Sequence, residues 1–451
     1  MSNAIFNAVT STKNYLQVLY DYIIVNRTYN ESSVFDDDIR AKIQLFSLAL
    51  TFKMWFKPHY RSNSFQDDLI NNLPNVAIPG SGIPLSIFCY NYWLAIIFIV
   101  IGNPTICLLG ALNKSRKLKR FHINQILQDY IDHLLHPSDW FTFWQMNCRL
   151  TSYASLITNH KHFQYENKWL FITEGLKLHI PVSPILDIKS LVCKNINIEG
   201  GLGITFYKNA MYGGEYIIQE RLNNADWLQE MLPTNGPLST MRIITSSTWL
   251  CETSHHSPAV VTSLESSIRS AFLLNQNHAL STEEQREREK YISPLSATLR
   301  LGRAQATTDH NSVLFDVDLA TGTVGPGLSN MHWYQVGVRR AMCCPWLPPE
   351  NVTAHPDPPG AAISGVIIPD MKEAIDIVCR AHYAMMPAVP IAGWDVAFTT
   401  EGIFLLEANL SCNFFRGSFD VPSYVQFIDR YWTYLSNLEA KKEMKSKSST
   451  E

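Results

Sequence analysis

The sequence predicts an α+β protein that is preceded by a mainly helical, hydrophobic N-terminal region. Three observations lead to this prediction. Residues 85–101 are almost continuously apolar, residues 123–135 repeat apolar side chains at intervals of three and four, and from about Tyr165 short strand patterns alternate with helix patterns. The first two patterns are typical of helices, and the third is typical of a layered domain built from both kinds of element.

Length and composition exclude several classes of protein. The chain has 451 residues, of which 46% are hydrophobic and 17% are charged. It is long enough for about two or three domains, and its composition is that of a folded chain rather than of a disordered or fibrous one. The 37 basic and 40 acidic residues leave a formal charge of −3, so we expect no nucleic acid partner.

The cysteines and the first thirty residues indicate an intracellular protein. The 9 cysteines are scattered, odd in number and without a Cys-x-x-Cys pair, so neither a disulfide framework nor a zinc site is predicted. Residues 1–30 contain no compact apolar block followed by a small-residue cleavage site, so we expect no cleaved signal peptide. A reduced, cytoplasmic compartment fits these features best.

Residues 85–112 allow two interpretations of equal weight. No charged residue occurs between Asp68 and Lys114, and a helix that crosses a bilayer needs about 20 mostly apolar residues. If the Gly-Asn-Pro sequence at 102–104 is tolerated as a kink, residues 85–112 supply such a span and associate the protein with a membrane. A basic cluster follows and would stay on the cytosolic face: Lys114, Arg116, Lys117, Lys119 and Arg120. The other interpretation is a buried helix of a soluble domain, broken at 102–104.

The strongest local signal for chemistry is a predicted β-hairpin near the C-terminus. Two strand patterns, at 393–398 and 403–409, flank a turn. Because side chains alternate along a strand, Glu407 and Asn409 point to the same face, and the hairpin can place Asp395 opposite them. Three oxygen ligands among apolar neighbours suit Mg²⁺ that is shared with phosphate oxygens; the alternative is a hairpin with an exposed polar face.

Two weaker patterns precede the hairpin. The apolar run 191–193 leads to Lys194 and then to a glycine-rich loop, which consists of Glu199, Gly200, Gly201, Leu202 and Gly203. Glycines let backbone N–H groups approach a phosphate, and a nearby lysine neutralises its charge, although most such loops are only turns. Residues 216–222 predict a strand whose end can offer backbone groups to an adenine edge; the alternative is an ordinary edge strand.

The order of these patterns resembles that of ATP-grasp proteins, most closely the branch described as sugar-transfer-associated ATP-grasp, over about residues 165–427. That branch has a lysine in an Asp-Lys-x-x-Phe-like segment before its first lobe, and Asn167 to Phe171 occupy that place. Its Ser/Asn-Thr-x-Arg segment resembles Ser239 to Arg242. Its magnesium-binding acid followed by Glu-x-Asn is matched by Asp395 and by Glu407 to Asn409.

The resemblance implies a fold in which two α+β lobes clamp ATP together with Mg²⁺. It implies that Lys168 and Lys194 bind the phosphates, that the loop 199–203 closes over them, and that Arg242 contacts the γ-phosphate or an acylphosphate. The implied catalytic residues are Arg242 and Lys194. The implied adenine and ribose contacts are Gln219, Glu220, Leu222 and Asp226. The implied metal ligands are Asp395, Glu407 and Asn409.

The resemblance also implies an activity, which is an ATP- and Mg²⁺-dependent ligase that joins a small-molecule carboxylate to an amine or thiol through an acylphosphate. Phosphoryl transfer needs positioned cations more than a protein nucleophile, which agrees with a site of lysines, an arginine and acids. Two alternatives stay open. One is a kinase that phosphorylates a small-molecule hydroxyl, and the other is a non-catalytic nucleotide-binding membrane scaffold.

Changes of pattern divide the chain into five predicted regions. A helical region is followed by an amphipathic linker helix, which we expect on the C-terminal domain or on a bilayer surface. Two lobes and a Lys- and Ser-rich tail complete the chain. The regions are a helical N-terminal region at 1–120, a helical linker at 121–164, a first lobe at 165–236, a second lobe at 237–435 and a flexible tail at 439–451.

Overall fold

The structure is a computed structural model. It describes residues 2–73, 85–119, 121–138, 140–196, 203–254, 258–274, 282–309, 312–329, 351–412 and 419–448. Helices precede two antiparallel sheets, so the predicted α+β class with a helical N-terminal region is confirmed.

The N-terminal region is a group of packed helices. They are α1 (Ser2–Ile23), α2 (Ile39–Met54), α3 (Phe65–Asn72), α4 (Ser86–Cys89), α5 (Tyr92–Ile97), α6 (Asn103–Lys117), α7 (Ile123–Leu135) and α8 (Trp140–Thr158). Helix α2 lies at the centre, between α1 and α8. Its Phe46 is fully buried and packs edge-on against the rings of Tyr22, Tyr29 and Trp432. Such aromatic contacts join this region to the C-terminal end of the chain.

A π-helical turn at Phe98–Gly102 joins α5 and α6 into one continuous helix. Pro104 has no N–H group to donate to the carbonyl of Val100, and a wider turn is a common way to accommodate such a loss. One carbonyl of this turn, that of Ile99, accepts a hydrogen bond from the hydroxyl of Tyr15 at 2.7 Å. The helix therefore continues through 102–104, and the break that one of the two interpretations placed there is not present.

The amphipathic helix predicted at 123–135 is confirmed as α7. Its buried residues include Tyr130, Leu134 and Leu135. They pack towards α1 and α6, so the helix lies within the N-terminal region, whereas the sequence predicted it on the C-terminal domain or on a bilayer surface. An apolar stripe shows that one face is covered but does not identify the covering element.

The described part of residues 165–236 is built from short elements and loops. It contains α9 (Lys168–Lys177), a two-stranded antiparallel sheet of β1 (Ser190–Lys194) and β2 (Ile204–Lys208), and the single turn α10 (Asp226–Gln229). The strand predicted at 216–222 is wrong, since only isolated bridges form at Tyr216 and Gln219. Gln219 pairs with Ile185, next to Pro184, and a proline cannot donate to a regular ladder.

The second sheet has seven antiparallel strands. They are β3 (Thr240–Ser247), β4 (Ile292–Gly302), β5 (Ser312–Val317), β6 (Val324–Ser329), β7 (Asn351–Val352), β8 (Ile391–Thr399) and β9 (Gly402–Asn409), in the order β7-β6-β5-β4-β3-β8-β9. The hairpin predicted at 393–398 and 403–409 is confirmed as β8 and β9. Its register pairs Asp395 with Glu407, so these two carboxylates are cross-strand neighbours.

Helices surround this sheet. They are α11 (Trp249–Thr253), α12 (Pro258–Leu274), α13 (Thr282–Tyr291), α14 (Met371–Met385) and α15 (Val421–Ser448). Helix α14 packs on β3, β4 and β8. Its His382 is fully buried, bonded to the hydroxyl of Thr245 at 2.7 Å and to the carbonyl of Val389 at 2.9 Å. Burial lowers the pKa of His382 to about 4, so it is a neutral, packed histidine.

Two helix ends differ from what their sequence patterns suggest. Asp370 followed by Glu373 is the pattern of a capping box, which would start α14, but Asp370 has a left-handed backbone with φ of 57° and makes no side-chain cap bond. A capping residue normally has an extended backbone, which aims its side chain at the first turn. The segment predicted as a tail from residue 439 continues α15 to Ser448, and Lys442 donates to the carbonyl of Ile157 at 2.5 Å.

Candidate active site

Polar side chains from neighbouring strands gather on one face of the seven-stranded sheet. Because side chains alternate, Thr240 and Arg242 on β3 point away from Thr245, which contacts α14. The ladder places Thr240 beside Arg300 of β4 and Arg242 beside Asp395 of β8. This polar face is therefore opposite the face that α14 covers.

Asp395 lies between two arginines. Its Oδ1 accepts a hydrogen bond from Nε of Arg242 at 2.5 Å, and its Oδ2 lies 2.9 Å from Nη2 of Arg300. All three residues are buried. Burial alone would raise the pKa of Asp395, but the two guanidinium groups outweigh it and lower this pKa to about 2. Asp395 is therefore ionised at neutral pH.

A second carboxylate, Asp309, joins this cluster from the loop after β4. It lies 3.2 Å from Nη2 of Arg300 and accepts a hydrogen bond from the hydroxyl of Thr240. Burial would lower the pKa of Arg300, but Asp395 and Asp309 raise it. The sequence reasoning assigned no role to Arg300 or Asp309. A signal existed for Arg300, which is a lone cation in the apolar strand segment 297–301 and would need an acidic partner if buried.

The predicted residues Lys168, Glu407 and Asn409 also come together. Nζ of Lys168 lies 2.8 Å from Oε2 of Glu407, and Nδ2 of Asn409 donates to Oε1 of Glu407 at 3.2 Å. Lys168 is the first residue of α9, and the side chain of Asn167 caps this helix. The Lys168 side chain is 65% exposed and that of Glu407 is 26% exposed, so this pair is accessible to solvent, whereas Asp395 is buried.

The other predicted residues make no hydrogen bond or ion pair with this polar face in the described part of the chain. Lys194 is exposed at the end of β1, and Gly203 has a φ of 67° just before β2. Gln219 donates to the carbonyl of Ser183 at 3.3 Å. Of the predicted adenine and ribose contacts, Glu220 and Asp226 are exposed, and Leu222 is buried. Glu199, Gly200 and Gly201 lie outside the described residues.

The donor set of Asp395, Glu407 and Asn409 fits Mg²⁺. These side chains offer hard oxygen atoms, and they come from paired strands. The nearby charges of Arg242 and Arg300 would repel a bare divalent cation. Mg²⁺ would therefore fit this site best together with an anionic ligand such as a phosphate, which the same arginines attract.

The N-terminal helices hold the chain that follows β9. Thr151 donates to the carbonyl of Leu410 at 2.8 Å, and Asn147 donates to the carbonyl of Cys412 at 3.0 Å, both from α8. Arg61 donates to the hydroxyl of Ser411 at 2.8 Å and to the carboxylate of Glu166 at 2.7 Å. The helical region therefore helps to position Glu407 and Asn409, a role that the sequence did not indicate.

A second group of ionisable side chains lies elsewhere, at His160, His162 and Glu265. Nε2 of His160 lies 3.1 Å from Oε1 of Glu265, and a backbone N–H group approaches Nδ1 of each histidine at 3.4 Å. Burial lowers the pKa of His162 well below its usual range. Hydrogen bonds therefore account for the orientation of these side chains, and we assign them no ligand.

Comparison of the chain with models of protein families, with curated proteins and with solved structures gives no match. The functional proposal therefore rests on the chemistry of the polar face. That face contains Lys168, Arg242, Asp395, Glu407 and Asn409 from the motifs, together with Arg300 and Asp309.

Gly393 leaves room for Arg242. An added Cβ at this position would lie 2.5 Å from Cβ of Cys412 and 3.1 Å from Cδ of Arg242. Gly393→Ala is therefore expected to lower the free energy of unfolding by about 1–3 kcal/mol in urea titrations. Gly325→Ala is the matched control, because its Cβ would meet Asp316 at an ordinary 3.5 Å. Equal stabilities of the two variants would contradict this close packing.

Proposed function

We propose that the chain is an ATP-grasp ligase, which uses ATP and Mg²⁺ to join a carboxylate to an amine or thiol through an acylphosphate. The observation that carries this proposal is the meeting of three cations with three acids on one sheet face. The cations are Lys168, Arg242 and Arg300, and the acids are Asp309, Asp395 and Glu407. The group is balanced in charge, so it can exist without a ligand and can also receive phosphates with their metal ion.

The cations differ in how they are held. Arg242 and Arg300 are buried and fixed by Asp395, which orients them before any ligand arrives. Charges fixed in advance stabilise a transferring phosphoryl group without reorganisation during the reaction. Lys168 is exposed and pairs only with the partly open Glu407 among its described contacts. We assign the buried arginines to the transferring phosphate and the exposed lysine to phosphate capture.

Mg²⁺ would be held by Asp395, Glu407 and Asn409, and it would neutralise negative charge on the phosphate oxygens. Glu407 then has two functions. It supplies an oxygen for the ion, and it orients Lys168 and Asn409, with which it makes contacts of 2.8 and 3.2 Å. Loss of its charge would disturb both functions.

The proposed reaction needs no nucleophile from the protein. A carboxylate oxygen of the substrate forms a bond with the γ-phosphorus, and ADP leaves with the electron pair of the broken bond. The amine or thiol then attacks the acyl carbon, phosphate leaves, and the nucleophile loses its proton to solvent. Cys412 next to the site is buried, which raises the pKa of its thiol to about 12, so it is not a competing nucleophile.

The test is an ATP-turnover screen of the purified chain against pooled carboxylates with pooled amines and thiols. We expect ADP and phosphate to appear only when a carboxylate and a nucleophile are both present. Hydroxylamine in place of the amine should trap the acylphosphate as a hydroxamate. A stable phosphorylated alcohol would show a kinase instead, and nucleotide binding without turnover would show a scaffold; either result overturns the ligase proposal.

A further inference from the structure

Helix α1 carries a row of exposed apolar side chains. They are Ile5, Phe6, Val9, Leu16 and Tyr20, and Phe6 is the most exposed at 70%. At 3.6 residues per turn, these positions fall within about 100° of the helix circumference. Single exposed apolar residues are ordinary, but several on one side of a helix indicate a surface that a membrane or another molecule covers.

The helix at Tyr92–Arg116 presents a second such row. Its exposed members include Trp93, Ile97, Ile101 and Leu112, and Trp93 is 67% exposed. This helix is long and apolar enough to cross a membrane by length and composition, and 22% of its most apolar window is buried. A core helix of a soluble protein would be mostly buried, so most of this apolar surface lacks a covering element among the described residues.

The two rows belong to one surface. A groove of about 660 Å³ runs between α1, α6 and α7, and it is lined by Val9 and Leu16 from α1, Leu108 from α6, and Leu127 from α7. The groove therefore connects the exposed row of α1 with that of α5 and α6. We call the surface formed by both rows and this groove the apolar face.

The helix at 92–116 is held to the protein at its middle. The hydroxyl of Tyr15 donates to the carbonyl of Ile99 at 2.7 Å and accepts a hydrogen bond from Asn103 at 3.2 Å. Tyr15 is fully buried in α1. If the helix crossed a bilayer, it would have to separate from α1 and α7, and Tyr15 would lose its hydrogen bonds with Ile99 and Asn103. This arrangement favours a helix that lies along a surface over one that spans it.

Positive charge borders the apolar face. Lys13 lines the groove, and Arg116 and Lys119 are exposed just after the last apolar turn of α6. No acidic residue occurs in residues 2–20 or 85–119. An apolar surface that is edged by cations complements a layer of anionic lipid head groups above acyl chains.

We propose that the apolar face docks the protein on a bilayer that contains anionic phospholipids, with α1 and the helix at 92–116 in the plane of the interface. Phe6 and Trp93 insert between the acyl chains, and Arg116 and Lys119 contact the head groups. The apolar surface supplies the affinity and the cations supply the selectivity for anionic lipid. This inference does not depend on the proposed ligase activity.

The test is flotation of the full chain with vesicles of phosphatidylserine mixed with phosphatidylcholine, or of phosphatidylcholine alone. We expect binding to the mixed vesicles and much weaker binding to the neutral ones. The double variant Phe6→Ser, Trp93→Ser should bind at least about tenfold more weakly. The double variant Arg116→Gln, Lys119→Gln should lose about fivefold in affinity per charge.

Matched controls are Phe206→Ser, which removes a side chain that is also 70% exposed but lies on β2, and Lys372→Gln, which removes an exposed cation on α14. Both should bind the mixed vesicles as strongly as the unsubstituted protein does, and all variants should have the same midpoint of thermal unfolding. No binding to mixed vesicles overturns the proposal. A dimer that Phe6→Ser, Trp93→Ser abolishes in the absence of lipid would assign the face to a second copy, and a membrane fraction that resists carbonate extraction would show a span.

Discussion

Glu407→Gln is expected to lower ATP turnover by about 100-fold, because it removes charge where the phosphates and their metal ion would bind. The substitution keeps the size of the side chain but removes the anion that lies 2.8 Å from Nζ of Lys168. The measurement is the rate of ADP release at saturating ATP with the substrates that the screen identifies.

Glu401→Gln is the control for this prediction. Glu401 lies at the turn of the same β8–β9 hairpin, and it is exposed. It should retain the full rate. If Glu407→Gln and Glu401→Gln turn over ATP equally fast, the polar face is not the active site, and the proposed function fails even if the protein binds nucleotide elsewhere.

Asp395→Asn is expected to destabilise the protein by about 3–5 kcal/mol, because it removes the negative charge that the buried Arg242 and Arg300 share, although Arg300 keeps its contact with Asp309. Oδ1 and Oδ2 of Asp395 each contact one arginine, and neither Arg242 nor Arg300 is exposed. Urea titration measures the change in the free energy of unfolding. Asp187→Asn, at an exposed position, should change it by about 0.5 kcal/mol or less.

The same ion pairs predict a pH dependence of stability. The pKa of Asp395 falls from its ordinary 3.8 to about 2 on folding, so the unfolded chain binds the proton more tightly. The ionised Asp395 therefore contributes about 2 kcal/mol to the free energy of unfolding above pH 4, and this contribution is lost as the pH falls towards 2. In Asp395→Asn this part of the acid dependence should be absent. An unchanged acid profile in the variant would show that Asp395 does not stabilise the fold through its charge.

The sequence predicted the hairpin of the candidate site well, because its signals are local. Alternation along two short strands and a turn between them are enough to place Asp395 opposite Glu407, and the structure has this register. The meeting of Lys168 with Glu407 was implied only through the family resemblance. No local pattern links two residues that are so far apart in the chain.

Local sequence patterns could not predict that Arg300 and Asp309 belong to the candidate site. Arg300 reaches Asp395 because β3 lies between β4 and β8, and this strand order cannot be read from one sequence. The strand predicted at 216–222 does not form, for a related reason. Its own residues favour a strand, but the partner segment contains Pro184 and cannot continue a ladder.

The bonds from α8 to the residues after β9 affect how this protein can be dissected. The carbonyls of Leu410 and Cys412 depend on Thr151 and Asn147, which precede the part of the chain that resembles ATP-grasp proteins. An excised fragment beginning at residue 165 would lack both donors, and each buried acceptor left unmatched costs about 1–3 kcal/mol. A fragment meant to keep the polar face in place should therefore begin before α8.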